Sequence, residues 1–405
     1  MHHEPPMPSP IFALCLAGIV LIGPLAVHLF LPAIPAVKAE FALSDAQAQL
    51  AFTIGIFAMA FSTLIYGTLS DRYGRRPVLM SGLGLFLAGC AVASVASSFA
   101  MLLAGRILLS IGAGCGTTLV RSIARDAYGQ ENLAKAIAYI TMFYTLGPMV
   151  SPLMGGILID AYGWRATFVF ALVFGSVITV GAWHQIHETH RGSGGRLDPV
   201  AVLRSYIDPF RNPRFAAFVL QTGFSSGVFF TVAAAFAVIM NEQLGRPASE
   251  YGMYFVCFPL GFLSGNIISS RIAGRVGIER MVLAGSILVF ATVALQMSLL
   301  LSGHVSPMTL FGPGFLITLA QGIALPSAQS GAIAMVPSSI GTAAGIGVFT
   351  QMFVGAAMSQ IYGAVATVSL LPLAVVSVLS ASLVLICGFV PYRLMRREGI
   401  ESGAR

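Results

Sequence analysis

The chain has 405 residues, 57% of them hydrophobic and only 9% charged, against about a quarter charged in an ordinary soluble domain. That composition excludes a water-soluble fold around one apolar core and points to a protein dissolved in lipid. The formal charge of +7 would suit a nucleic-acid binder, but the positions of the charges give them another purpose.

The N-terminal tail, residues 1–10, lacks a basic region, and the apolar stretch after it outruns signal length, so no cleavable leader is expected. Twelve stretches long enough to cross a bilayer follow, near 11–34, 46–69, 77–98, 101–124, 134–158, 164–185, 214–240, 250–272, 280–302, 307–333, 339–362 and 368–391. They are continuous rather than alternating, so helices are expected and a β-barrel is not. Residues 186–213 break the rhythm: they are polar, contain Gly192-Ser193-Gly194-Gly195 and end in Asp208-Pro209 and Asn212-Pro213. The expected organisation is a six-helix bundle over 11–185, a linker over 186–213, a second six-helix bundle over 214–392 and a tail over 393–405. Asp198 to Tyr206 could form an interfacial helix within the linker.

Seventeen of the 22 Lys and Arg residues fall in one set of loops and the C-terminal tail, whereas the opposite loops hold Lys38, Arg165 and Arg246. The positive charge thus reads as topology, with both termini cytoplasmic and no nucleic acid as partner. The five cysteines (15, 90, 115, 257 and 387) sit singly inside apolar stretches, without metal-ligand spacing, and read as small core residues. No His-rich metal motif, Ser/His/Asp arrangement or nucleotide loop is found, so neither an enzyme, nor a metal, nor a cofactor, nor direct use of ATP is expected.

Polar features inside this apolar chain stand out in order. Gly67 to Leu79 places four charges within Asp71 to Arg76, too many for hydrocarbon, so a tight turn at the membrane surface is expected. Gly67 and Gly74 permit close approach and turning, and Pro77 suits a first helical turn. Arg106 lies well inside an apolar stretch, where a charge is costly and faces a cavity or a partner. Arg121 lies nearer the end of the same stretch and can snorkel. Gly147-Pro148-Met149-Val150-Ser151-Pro152-Leu153-Met154-Gly155-Gly156 removes backbone hydrogen bonds and side-chain bulk, which suits a bent, closely packed helix. Ser270 to Arg280 weakly repeats the first turn, with Gly277 opposite Gly74 and Arg275 opposite Arg72, but Gly274 opposite Asp71.

On these residues the chain resembles the major facilitator superfamily, and most of all its bicyclomycin-resistance (Bcr/CflA) branch of twelve-helix drug:proton antiporters. The match runs from about Pro24 to the end of the twelfth stretch. Its motifs are Gly67, Asp71, Arg72, Gly74, Arg75 and Arg76; the segment from Arg106 to Arg125 and Asp126; and the antiporter element Gly147, Pro148, Ser151, Pro152, Gly155 and Gly156. Leu31-Pro32-Ala33-Ile34-Pro35 closing the first helix, Gly163-Trp164-Arg165 opening the sixth and Gly341-Thr342-Ala343-Ala344-Gly345 opening the eleventh agree with it. The resemblance implies a major facilitator fold of two six-helix bundles in the inner membrane. It implies export of small amphipathic compounds in exchange for protons by alternating access, as a monomer. It also implies a cytoplasmic charge cluster, with Asp126 as partner of Arg75 or Arg76, and a role for Arg106 in proton transfer or polar packing.

One departure bears on mechanism. Where the branch commonly has an acidic residue before the Leu-Pro-Ala element, this chain has His28, and all fifteen acidic residues fall in loops, tails or helix ends. A proton antiporter needs an embedded titrating group, and histidine qualifies. Two roles stand open for His28: proton coupling, or a polar place at the pocket rim. Substrate-lining candidates are Phe57, Thr118, Arg121, Tyr144, Gln221, Ser225, Phe229 and Gln321. Arg106 and Arg121, with no embedded acid, favour neutral or anionic compounds. Export of an endogenous metabolite is the alternative task on the same fold, and a membrane-embedded enzyme or receptor is the alternative of another class.

Overall fold

The computed structural model describes residues 9–189, 204–336, 340–367 and 369–403. Gly192 to Gly195 and most of the expected interfacial helix lie outside them; residues 204–207 are helical.

The described residues include twelve helices long and apolar enough to cross a membrane. Helix α1 (Pro10–His28) opens with the Ser9 hydroxyl accepting the Phe12 N–H at 3.2 Å and with Pro10 in the first turn, where no donor is missed. The first span does not end at the Leu31-Pro32-Ala33-Ile34-Pro35 element. A 3-10 turn (Leu31–Ala33) and helix α2 (Ile34–Glu40) carry it on. Pro32 and Pro35 are tolerated because each falls in the first turn of its own element. The element is therefore a joint inside the span rather than its close.

Helices α3 (Asp45–Tyr73) and α4 (Arg75–Ser94) are separated by Gly74 alone, at φ 100° and ψ 156°. Gly67, Asp71 and Arg72 thus belong to the last turns of α3, and the expected loop shrinks to one residue. An L side chain resists that backbone, which explains the glycine. Gly277 separates the corresponding pair in the second half at φ 91° and ψ 154°. The weak sequence repeat is thus a close repeat of backbone geometry.

Helix α5 runs unbroken from Phe99 to Tyr162 and contains two spans, Phe99–Tyr128 and Tyr139–Tyr162. The break expected at 124–134 is absent. The intervening Ala127-Tyr128-Gly129-Gln130-Glu131-Asn132-Leu133-Ala134-Lys135 holds no proline, and Gly129 alone is too weak a breaker to stop a helix. Helix α6 (Arg165–Gln185) follows, after Gly163 at φ 82°.

The second half holds α7 (Pro213–Val238), a π-helical turn (Ile239–Gln243), α8 (Ala248–Phe255), α9 (Cys257–Val276), α10 (Ile278–Leu301), α11 (Pro307–Ala334), α12 (Ile340–Val365) and α13 (Leu371–Gly403). One expected span, 250–272, is interrupted at Val256 between α8 and α9. Pro259 explains it, because it lacks the N–H that would bond the Phe255 carbonyl. Contacts divide the chain into two units, Met1–Ala33 with Ile54–Arg196, and Ile34–Thr53 with Leu197–Arg405. Residues 34–53, expected in the first bundle, group with the second unit. In the first unit α1 packs on α5 and α6, and α4 lies against the same two helices; in the second α7 packs on α11, α12 and α13.

Candidate functional site

The charged turn of the first unit closes into a network. Arg75, with a side chain only 5% exposed, donates from Nη1 to Asp71 Oδ1 and Ser70 Oγ at 2.8 and 2.7 Å, and from Nε to Asp126 Oδ2 at 3.3 Å. One guanidinium thus ties the end of α3 to the middle of α5, and Arg75 rather than Arg76 takes Asp126. Arg76 donates to the Trp183 carbonyl at 3.0 Å and lies over that indole at 5.1 Å. Arg72 lies over Tyr73, and Arg125 reaches Asp126 at 3.7 Å with its side chain 62% exposed. Glu188 is the participant that sequence reasoning missed. Its carboxylate accepts the N–H groups of Arg75 and Arg76 at 2.8 and 3.2 Å. It thereby satisfies two orphan donors and meets the positive end of α4. A carboxylate from over a hundred residues away carries no local capping signature. Gly67 is not needed for clearance here, since a Cβ there would meet Thr118 Cγ2 at an ordinary 3.8 Å.

Arg106 is 1% exposed. Its Nη1 donates to the Ala26 carbonyl at 2.8 Å, and its guanidinium lies 4.3 Å from the centre of the Phe30 ring. Ala26 is in the last turn of α1, where carbonyls lose their helical donors. Arg106 therefore caps the end of α1 and holds the joint before Leu31. Gly55 makes room, because a Cβ there would come within 3.0 Å of Arg106 Nη2. His28 is the last residue of α1 and is 8% exposed. It lies two residues beyond the carbonyl that Arg106 holds. Arg165 acts in the same way elsewhere, donating to the Ala96 carbonyl just past α4 at 2.6 Å.

The second span of α5 fits against α1. At Gly147 a Cβ would collide with the Pro24 ring, and at Gly155 with the Leu29 carbonyl. Both glycines thus face the end of α1 that carries His28. Pro148 and Pro152 remove two ladder donors, and Ser151 Oγ donates to the Gly147 carbonyl at 2.7 Å, a back-bond that favours bending. Gly156 is buried in the same stretch.

The proposed substrate contacts sort by burial. In the first unit Phe57, Thr118 and Tyr144 are half-buried and Arg121 is exposed. In the second, Phe229 is half-buried and packs on Phe230, Phe255 and Phe258 with ring centres 5.3 to 6.1 Å apart. Gln321 is 6% exposed and donates to the Ser225 carbonyl at 2.8 Å. Gln221 and Ser225, at 0% and 1%, are enclosed between helices, with Gln221 Nε2 donating to Ser286 Oγ at 3.2 Å. They serve packing in this conformation and offer no surface to a ligand. No Asp or Glu is buried among the residues whose side chains are described.

The family model "Major Facilitator Superfamily" matches residues 16–359. Multidrug resistance protein D of Escherichia coli (strain K12) is 27% identical over 333 residues, covering 82% of each chain. A bicyclomycin resistance protein homolog of Haemophilus influenzae is 24% identical over 355 residues, covering 87% of this chain and 88% of that one. Among solved structures, a bacterial homolog of the human lysosomal transporter Spinster, inward-facing and occupied, superposes with a TM-score of 0.75 at 17% identity over 95% of this chain and 96% of that one.

Proposed function

This chain belongs to the major facilitator superfamily, and on that premise we propose that it exports small amphipathic drugs or toxic compounds across the inner membrane in exchange for protons. The superfamily makes it a multi-pass membrane transporter of small molecules. Drug export is supported by two relatives, named for multidrug and bicyclomycin resistance, each matched over more than four-fifths of its length. The antiporter element of α5, packed glycine by glycine on α1, agrees with export.

The observation that carries the coupling is His28 itself, buried at the end of α1 two residues beyond the carbonyl that Arg106 holds. Histidine is the side chain whose ordinary pKa lies within the physiological range, so it can gain and lose the coupled proton. His28 is the proposed proton carrier. Arg106 is a positioning residue that holds the turn on which His28 sits. Phe57, Thr118, Arg121, Tyr144, Phe229 and Gln321 are the side chains offered to substrate. With Arg121 exposed, and no acid buried among the residues whose side chains are described, neutral or anionic compounds suit the protein better than strong cations. Both termini and the Arg75 network lie on the cytoplasmic side in this reading, and the protein works as a monomer.

Everted membrane vesicles from a drug-sensitive host test it. Energised vesicles carrying the protein should accumulate compounds from a drug panel, and a protonophore should abolish the accumulation. Accumulation that survives the protonophore, or none for any compound, would contradict the reading.

A further inference from the structure

A cavity of about 850 Å³ opens in the second unit, away from the residues described above. Ser205, Asp208, Arg211 and Arg214 give it a polar side, and Met335, Val336 and Leu394 an apolar one. Pro213 opens one span, Ala334 closes another and Arg397 closes the last. The cavity therefore lies where three spans meet one bilayer surface. Its walls are anchored. Tyr206, Met335 and Val336 pack against the buried cluster that holds Phe215 and Phe218. The Phe210 ring meets Phe215 edge-on at 5.6 Å, and Asn212 Oδ1 accepts the Arg214 N–H at 2.9 Å.

Arginines at a bilayer surface follow from topology alone. A cavity with one cationic side and one apolar side does not. Arg211 has Asp208 Oδ1 at 3.6 Å, with side chains 84% and 54% exposed, a wet pair that another anion can replace. On α13, Arg397 stands three residues past Leu394 and so on the same helix face. Three guanidiniums against one carboxylate leave the polar side cationic. Beside it, Ile207 and Phe210 are exposed, as suits apolar side chains resting in a headgroup layer. The chemistry matches an amphiphile with a fixed negative charge. Guanidiniums fork onto phosphate oxygens, while Met335, Val336 and Leu394 take the first methylenes of a chain. Basic pockets between spans at a membrane surface hold anionic headgroups in this way. A free phosphate would leave the apolar side unused.

We propose that this cavity binds the headgroup of an anionic phospholipid from the adjacent leaflet, with Arg211 and Arg214 on the phosphate. The inference rests on the spans and not on what the protein exports. Native mass spectrometry of the delipidated full chain tests it, with phosphatidylglycerol, phosphatidylcholine and inorganic phosphate as probes. Phosphatidylglycerol should bind more tightly than phosphatidylcholine, and excess inorganic phosphate should not displace it. Arg211→Gln changes a side chain too exposed to carry the fold. It should weaken phosphatidylglycerol about fivefold and leave phosphatidylcholine unchanged. Arg275→Gln, at an exposed arginine outside the cavity, should alter neither. Equal binding of the two lipids, or equal weakening by Arg275→Gln and Arg211→Gln, would overturn the site. Displacement by inorganic phosphate would overturn the lipid as its occupant.

Discussion

Arg106 does for α1 what a lysine near a C-terminus does for a soluble helix: it gives a terminal carbonyl a donor that the helix cannot supply. Inside an apolar bundle the consequence is larger. Arg106→Ala removes the side-chain donor from the buried Ala26 carbonyl and strips the cation from the Phe30 face. The expected cost is about 2–4 kcal/mol, read as a lower unfolding midpoint in detergent, with Arg106→Lys intermediate. His28 calls for a different readout. Its substitution by alanine should leave the fold intact and flatten the pH dependence of transport. Transport by His28→Ala with the unaltered pH profile would remove it as the proton carrier. Arg106 was legible in the sequence because an arginine in an apolar run needs a reason. Its partner was not, because a backbone carbonyl has no signature. Glu188 was invisible for a related cause: it caps a helix from 113 residues away. Glu188→Ala should lower stability by about 1 kcal/mol, measured by the same melt.

At the scale of elements, glycines separate into those the packing demands and those it tolerates. Gly147 and Gly155 leave no room for a Cβ against Pro24 and the Leu29 carbonyl, whereas Gly67 has room. Gly147→Val and Gly155→Val are therefore expected to abolish folded protein on size-exclusion chromatography. Gly67→Ala should elute as the unaltered protein does. Gly74→Ala should cost about 1–2 kcal/mol from its positive φ. Periodicity and length placed the spans well, since twenty apolar residues have few other uses. Three details escaped: the joint at Leu31–Ala33, the one-residue turn at Gly74 and the unbroken α5. Each depends on how one proline, one glycine or one polar stretch is read, and local composition permits either outcome there.

At the scale of the molecule, the 6+6 division was legible because a polar, glycine-rich linker is hard to mistake. The assignment of residues 34–53 to the second unit was not. It depends on Gln49, Thr53 and Lys38 finding partners some two or three hundred residues away. Arg106, through the Ala26 carbonyl, and the α5 element, through Gly147 and Gly155, converge on the end of α1 that carries His28. The most direct measurement places the purified protein in liposomes with a pH-sensitive dye inside and adds a neutral amphipathic drug that the vesicle screen has identified. Drug movement accompanied by opposite proton movement, lost in His28→Ala while drug binding persists, is the expected result. Drug movement without protons, or an undiminished proton flux in His28→Ala, would contradict it.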